Sequence, residues 1–247
     1  MASFWIIVNK VIRGADVLLL LLDSRLVKES YNEEVVDKAK ETNKPLIFVF
    51  TKCDLVDTKI VEQYKKKFRP AVFVSAKMHF GTTILREKIL IAAKKANIKG
   101  MIKVGVLGYP NVGKSSLINA MVGRGSAPTS SLSGHTKAVQ NIRTSRIMFL
   151  DTPGVLPYKE KDEVAHTAMG AIDYAKSKDP DIMVMALMDK FPGRIEKYYE
   201  VKVKEDKEES LEEIALKKNI IKKGNEADVM RLARLILRDW QKGKIKS

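Results

Sequence analysis

Short apolar runs along the chain alternate with stretches in which apolar residues recur every three or four positions. Unbroken runs rich in Leu and β-branched residues are typical of strands buried on both faces of a parallel sheet. The amphipathic stretches between them are typical of helices that pack on such a sheet. The predicted strands are Val17–Leu22, Leu46–Phe50, Ala71–Val74, Lys103–Leu107 and Arg146–Leu150, and the predicted helices are Asn32–Glu41, Thr58–Phe68, Thr83–Lys95 and Lys114–Val122. This alternation predicts an α/β fold with a doubly wound, mostly parallel sheet.

The strand pattern stops after Pro180. A mixed-charge stretch, Val201–Leu216, overlaps a helical pattern at Leu211–Ile221, and a second helical pattern follows at Ala227–Trp240. We therefore predict an α/β domain over residues 1–177 and a small all-helical domain over residues 178–247.

Charge narrows the class of partner. The 247 residues include 45 Lys and Arg against 30 Asp and Glu, a net charge of +15 that is spread along the chain. A dispersed positive field favours a polyanion, nucleic acid before membrane, although a basic surface without a partner is the simpler alternative. A single cysteine, Cys53, excludes a disulfide framework and fits a reducing compartment. The longest apolar run is too short to span a bilayer and no signal-peptide pattern follows it, so we expect a cytoplasmic protein.

The strongest motif is Gly108-Tyr-Pro-Asn-Val-Gly-Lys-Ser115, a match to G-x-x-x-x-G-K-[ST]. It follows a predicted strand and opens a predicted helix, which is the context that a P-loop requires. Glycines let backbone N–H groups surround phosphate oxygens, and the helix N-terminus adds positive potential. Lys114 would reach the β- and γ-phosphates, and the Ser115 hydroxyl would bind Mg²⁺.

Two further elements fit a bound triphosphate. Asp151-Thr-Pro-Gly154 follows a predicted strand, so that Asp151 would hold a Mg²⁺-bound water and the Gly154 N–H would face the γ-phosphate. Thr136 lies in a loop rich in Ser, Gly and Pro between the two motifs, where its hydroxyl can reach Mg²⁺ when the loop closes.

Base selection is predicted upstream of the P-loop. Thr51-Lys-Cys-Asp54 and Ser75-Ala-Lys77 each follow a predicted strand, at the sheet edge where doubly wound folds bind ligands. The Asp54 carboxylate can accept hydrogen bonds from guanine N1–H and the exocyclic amine, a donor pair that adenine lacks. The stem of Lys52 would pack on the purine, and the Ala76 N–H would meet guanine O6.

Together these motifs resemble the guanine-nucleotide signatures of the Ras-like GTPases in rotated order, which is the mark of circularly permuted GTPases. The chain is most similar to the ribosome biogenesis GTPase A family of large-subunit assembly factors. The resemblance is supported by Asp23-Ser-Arg25, Gly134-His-Thr-Lys137 and the ending Leu237–Gly243. The sequence departs from the family pattern at Thr51, where Asn is usual, and at Ser133 and Leu26-Val27, where a proline is usual.

The resemblance implies a permuted GTP-binding domain over residues 1–177 and an RNA-binding helical domain over residues 178–247. It implies a GTP-hydrolysing switch with Mg²⁺ at Ser115, Thr136 and Asp151, a catalytic set of Lys114, Thr136 and Gly154, and the large ribosomal subunit and its RNA as partners. The implied GTP-binding set is Thr51, Lys52, Cys53, Asp54, Ser75, Ala76, Lys77, Gly108, Asn111, Val112, Gly113, Lys114, Ser115, Ser116 and Gly154.

The glutamine that orients water in Ras-like enzymes is missing, because Val155 and Leu156 follow Gly154. Similar GTPases hold K⁺ through an asparagine at the position of Asn111, which implies a slow enzyme that K⁺ activates; the alternative is that Asn111 only shapes the turn. A non-hydrolysing RNA scaffold and a P-loop kinase or ATPase are the other functions that we weigh.

The last helical pattern has an apolar face of Val229, Leu232, Ala233, Ile236, Leu237 and Trp240. Arg231, Arg234 and Arg238 form a basic stripe beside that face, which suits RNA phosphates or simply a solvated surface. We expect a monomer with no membrane partner.

Overall fold

The structure is a computed structural model that describes residues 4–123, 140–143, 146–151 and 179–245. The chain divides into two compact units, residues 1–161 and residues 162–247. The predicted boundary at residues 177 and 178 lies outside the described residues and stays a prediction.

The first unit is built on a six-stranded sheet. Its strand order is β3-β2-β1-β4-β6-β5, and every neighbouring pair is parallel except the edge pair of β5 and β6. This confirms the predicted doubly wound, mostly parallel sheet. The strands are β1 Val17–Asp23, β2 Leu46–Thr51, β3 Ala71–Phe73, β4 Ile102–Leu107, β5 Gln140–Arg143 and β6 Ile147–Asp151.

Helices connect these strands and pack on the sheet. They are α1 Phe4–Gly14, α2 Val27–Ser30, α3 Glu33–Glu41, α4 Thr58–Lys67, α5 Thr82–Lys95 and α6 Lys114–Val122, with a short 3₁₀ turn at Cys53–Leu55. Strand β1 is buried along its whole length. Its residues Leu18, Leu20 and Leu22 join one core cluster with apolar residues of α1 and α3. Leu19 and Leu21 point to the other face of the sheet and are buried as well, as the unbroken apolar run predicted.

Helices α1 and α2 and strand β5 of the first unit are missing from the sequence-based prediction. Helix α1 buries Val8, Val11 and Ile12 against the sheet, whereas the sequence-based prediction takes Val17–Leu22 as its first element and assigns nothing to Phe4–Gly14. Strand β5, an antiparallel edge strand, has a polar sequence apart from Ile142, which is buried.

The described part of the second unit is helical, with α7 Pro180–Lys190, α8 Arg194–Tyr199, α9 Lys207–Lys217 and α10 Val229–Gln241. Within residues 179–245, β structure is limited to one isolated bridge between Ile221 and Ala227. Helix α9 begins and ends four residues before the predicted Leu211–Ile221, because the Asp206 carboxylate caps it by accepting from the Glu208 and Glu209 N–H groups. The predicted apolar face of α10 is core, with Leu232, Ala233, Ile236, Leu237 and Trp240 buried.

Candidate functional site: a nucleotide site at the carboxyl edge of the sheet

The carboxyl ends of four parallel strands meet at one edge of the sheet. Asp23 at the end of β1 pairs with Thr51 of β2, and Asp151 at the end of β6 pairs with Val106 of β4. The chain leaves β1 toward β2 and leaves β4 toward β6, so the strand order switches direction between β1 and β4. Doubly wound sheets bind ligands in the crevice at such a switch point.

The loop Gly108–Gly113 joins β4 to α6 at this switch point. Gly108 has a φ of +146°, and a Cβ there would lie 2.8 Å from the Leu21 carbonyl oxygen. Gly113 is also left-handed, with a φ of +100°. These positions need glycine because L side chains rarely adopt such angles. The backbone of the loop therefore passes close to β1 and turns into the first turn of α6.

Lys114 is folded back over this loop. Its Nζ donates to the carbonyl oxygens of Gly108 at 2.8 Å and Tyr109 at 2.7 Å. Burial lowers the pKa of Lys114 to about 8, and the nearby Asp151 carboxylate opposes that shift only in part. A phosphate would stabilise the charged form of this ammonium group, which is the role that the P-loop motif predicts for it.

The predicted magnesium residues that the structure describes lie together. The Ser115 hydroxyl donates to Asp151 Oδ2 at 3.1 Å, and Asp151 is fully buried. A hydroxyl and a carboxylate oxygen side by side are ligands that Mg²⁺ accepts, directly or through water. The donor set therefore fits the ion. Thr136 and Gly154, the other residues predicted here, lie outside the described residues, as do Ser133, Val155 and Leu156.

Residues 51–54, which we call the base loop, are hydrogen-bonded directly to the P-loop. The Thr51 hydroxyl lies 2.5 Å from the Val112 carbonyl oxygen and 3.1 Å from that of Leu22. Lys52 has a left-handed φ of 54°, and its Nζ donates to the Asn111 carbonyl oxygen at 2.8 Å. Thr51, which stands where asparagine is usual, therefore connects the base loop to the P-loop and to the end of β1.

The second base motif lies next to the first. The Cys53 N–H donates to the Val74 carbonyl at 3.3 Å, which connects the base loop to the end of β3. The Ser75 hydroxyl accepts from the Met78 N–H at 3.1 Å and shapes the turn that contains Ala76 and Lys77. Asp54 and Lys77 are exposed at this edge. The structure thus brings both base motifs and the P-loop together, as predicted.

Cys53 itself is half-buried and packs against the core cluster. Burial raises the pKa of its thiol. It is therefore a poor thiolate and packs as a small apolar residue.

The sequence did not predict the part that Asp23 and Arg25 play at this edge. The sequence identifies these residues only through the family resemblance. In the structure the Asp23 carboxylate contacts Nζ of Lys52, a base-loop residue, at 2.7 Å. An aspartate that closes an otherwise apolar strand was the available signal, because a buried carboxylate needs partners.

The basic stripe of α10 is only partly available to a partner. Arg231 and Arg234 are exposed, whereas Arg238 is half-buried with its Nε 3.7 Å from Asp239. Among the described helices none is long and apolar enough to cross a membrane.

Known GTP-binding proteins are similar to this chain over almost its whole length. Residues 103–225 match the family described as 50S ribosome-binding GTPase. An uncharacterized GTP-binding protein of Methanocaldococcus jannaschii is 41% identical over 97% of this chain and 65% of its own length. Nucleolar GTP-binding protein 2 of Yarrowia lipolytica is 33% identical over 98% of this chain and 49% of its own length. The chain thus spans about half to two thirds of the relatives that it matches.

Solved structures show the same fold. The GDP-bound structure of YlqF from T. maritima aligns with a TM-score of 0.66 over 97% of this chain and 95% of that chain, at 20% identity. A GNP-bound YlqF structure from T. maritima aligns with a TM-score of 0.65 at 21% identity. The base motifs precede the P-loop along the chain while all of them share one sheet edge, so the chain has the fold of a circularly permuted Ras-like GTPase. The predicted resemblance to circularly permuted GTPases is confirmed at the level of the fold.

Proposed function

We propose that this chain is a GTP-hydrolysing switch that acts in assembly of the large ribosomal subunit, as a monomer in the cytoplasm. One observation carries the proposal: hydrogen bonds join the base loop to the P-loop. They lie at the sheet edge where the Ser115 hydroxyl donates to Asp151. A P-loop alone does not distinguish one nucleoside triphosphate from another. The base loop next to it contributes an exposed carboxylate, Asp54, where a base would lie. The family description and the names of the relatives, which are GTP-binding proteins, support the same choice.

Guanine is the base that these groups suit. The Asp54 carboxylate would accept from guanine N1–H and the exocyclic amine, and the Ala76 N–H would donate to O6. The Lys52 stem would lie along the purine. Adenine would leave the carboxylate without donors, and an unsatisfied charged group is costly. The motifs therefore favour GTP over ATP and disfavour a kinase or an ATPase.

Residues of this chain have definite roles in hydrolysis. Lys114 binds the β- and γ-phosphates once its bonds to Gly108 and Tyr109 are exchanged for phosphate oxygens. Ser115 and Asp151, with Thr136, would hold Mg²⁺, which would neutralise charge on the phosphates. The Gly154 N–H orients the γ-phosphate. Val155 cannot orient water, so we expect slow turnover. Asn111 would hold K⁺, whose positive charge would favour the negatively charged transition state.

Hydrolysis is tested by single-turnover GTP cleavage in matched KCl and NaCl buffers. We expect a slow rate that is about tenfold or more faster in K⁺, because added charge at developing negative oxygens lowers the barrier. Asn111→Ala should bind GTP and lose the K⁺ effect. Equal rates in both salts would contradict the role of Asn111, and no cleavage in either salt would favour the non-hydrolysing scaffold.

The ribosomal partner is tested by co-sedimentation with purified large subunits. The net charge of +15 and the exposed Arg231 and Arg234 support binding to RNA phosphates. More protein should sediment with a GTP analogue than with GDP, and binding should weaken steeply as salt rises. Replacing Arg231, Arg234 and Arg238 by glutamate should reduce sedimentation without changing nucleotide affinity. Equal sedimentation of the GTP and GDP forms would contradict a nucleotide switch.

A further inference from the structure

Asp23 is a buried carboxylate with two cationic partners. Its side chain is 1% exposed. Oδ1 accepts from the Arg25 Nε and from the Arg25 backbone N–H, both at 3.0 Å. Oδ2 accepts from Arg25 Nη2 at 2.8 Å and from Lys52 Nζ at 2.7 Å. Burial alone would raise the pKa of Asp23, but the charges of Lys52 and Arg25 outweigh it and hold that pKa well below its usual range. Asp23 is therefore ionised at neutral pH.

Asp23 holds one end of a connection that reaches the P-loop. Lys52 Nζ bonds at the same time to Asp23 Oδ2 and to the Asn111 carbonyl oxygen. The neighbouring Ser24 hydroxyl donates to the Thr51 carbonyl at 2.6 Å. The end of β1 thus fixes two successive residues of the base loop, and those residues in turn contact the P-loop.

The Lys52 side chain has another conformation open to it. It is 25% exposed, so its ammonium group can turn into water if the carboxylate is removed. Arg25 lacks that freedom, because its side chain is 5% exposed. The contact of Lys52 with the P-loop therefore depends on Asp23. Without that carboxylate, the Asn111 carbonyl alone would replace little of the hydration of the ammonium group.

We propose that Asp23 is a positioning residue for the guanine nucleotide: it holds Lys52 across the P-loop, so that the base loop and the phosphate loop are already assembled before the nucleotide binds. Arg25 contributes the other side-chain hydrogen bonds to the Asp23 carboxylate. The proposal rests on the proposed function, because it assumes that Lys52 and the P-loop bind the same nucleotide. Preorganisation of this kind strengthens binding by reducing the ordering that binding requires.

The test compares Asp23→Asn with the matched control Asp16→Asn. Asp16 precedes the same strand at its other end, where its Oδ2 accepts from the Lys103 N–H at 2.8 Å. Affinity and dissociation rate are measured with a fluorescent N-methylanthraniloyl GDP, on protein whose fold is verified by circular dichroism. We expect Asp23→Asn to weaken affinity about tenfold to a hundredfold, mainly through faster dissociation, since bonds to charged groups have this magnitude. Asp16→Asn should bind as the parent does.

A double-mutant cycle separates positioning from general destabilisation. In a Lys52→Met background, Asp23→Asn should weaken GDP binding no further, because the side chain through which Asp23 acts is gone. If Asp23→Asn does not fold because Arg25 is left uncompensated, the Asp23→Asn/Arg25→Met variant removes that charge and is compared with Arg25→Met alone.

Three results would overturn the inference. An unchanged affinity in Asp23→Asn would show that Asp23 is only a structural ion pair. An equal loss with and without the Lys52 side chain would show that Asp23 does not act through it. Failure of the parent protein to bind the fluorescent GDP at all would instead contradict the proposed function, which keeps the two failures distinct.

Discussion

The hydroxyl of Thr51 connects the base loop to the P-loop, and its removal makes a sharp test of that connection. Thr51 is 4% exposed, and its Oγ1 lies within hydrogen-bond distance of two carbonyl oxygens, those of Val112 and Leu22. Thr51→Val keeps the shape and removes the donor, so a buried carbonyl loses its partner. Such a loss costs about 1–3 kcal/mol. For a domain of this size, each kcal/mol lowers Tm by about 2–4 °C. We expect GDP affinity to fall as well, because one of the two side-chain hydrogen bonds that join the loops is lost and only that of Lys52 remains.

Stability is best measured by urea unfolding followed through Trp5 fluorescence in a Trp240→Phe background, which leaves one tryptophan, located in the first unit. Thr51→Ser should restore most of the stability because it restores the hydroxyl. Thr42→Val is the matched control: the Thr42 hydroxyl donates to the Ala39 carbonyl at 2.7 Å, but Thr42 is only partly buried, so water can replace it and the change should stay below about 0.5 kcal/mol. If Thr51→Val is as stable as the parent, the hydroxyl does not hold the loops together.

Three further predictions concern packing, charge and capping. Gly105→Ala would place a Cβ 2.9 Å from Ala15 Cβ and from Val11 Cγ1, so it should displace helix α1 and cost about 1–3 kcal/mol in urea unfolding. Lys114 has a pKa of about 8 and must be protonated to pair with phosphate, so GDP affinity should be highest well below pH 8 and should fall about threefold between pH 7.5 and pH 8.5 in fluorescence titrations. Asp206→Ala removes the cap of helix α9 and should lower the thermal stability of the second unit by about 1 kcal/mol, whereas an unchanged melting curve would show that the cap contributes nothing.

Most of the sheet could be predicted because its strands are buried on both faces. The five predicted strands, Val17–Leu22 among them, lie within two residues of the observed ends, since each forms a nearly unbroken apolar run. Strand β5 could not be found in this way, because Ile142 is the only apolar residue in its sequence Gln140–Arg143.

The site could be predicted where function requires a particular residue type at a particular spacing. The glycines, Lys114 and Ser115 of the P-loop are of this kind, and so are Asp54 and Asp151. The contact of Lys52 with Asp23 could not be predicted, because the two residues are 29 positions apart and meet only through the pairing of β1 with β2. Motifs therefore identify the groups that would touch a ligand, whereas the bonds that hold those groups in place depend on strand order and register.

The central claim is that this sheet edge forms a site for guanine nucleotides, with Asp54 as the base-selecting group. The most direct measurement is isothermal titration calorimetry of GTP, ATP and xanthosine triphosphate against the parent protein and Asp54→Asn, with Mg²⁺ present. The parent should bind GTP about 10⁴-fold more tightly than ATP, because discrimination built on base hydrogen bonds reaches that size. Asp54→Asn should lose affinity for GTP and gain affinity for xanthosine triphosphate, whose 2-oxo group accepts from an amide. Equal affinities of the parent for GTP and ATP would contradict the claim.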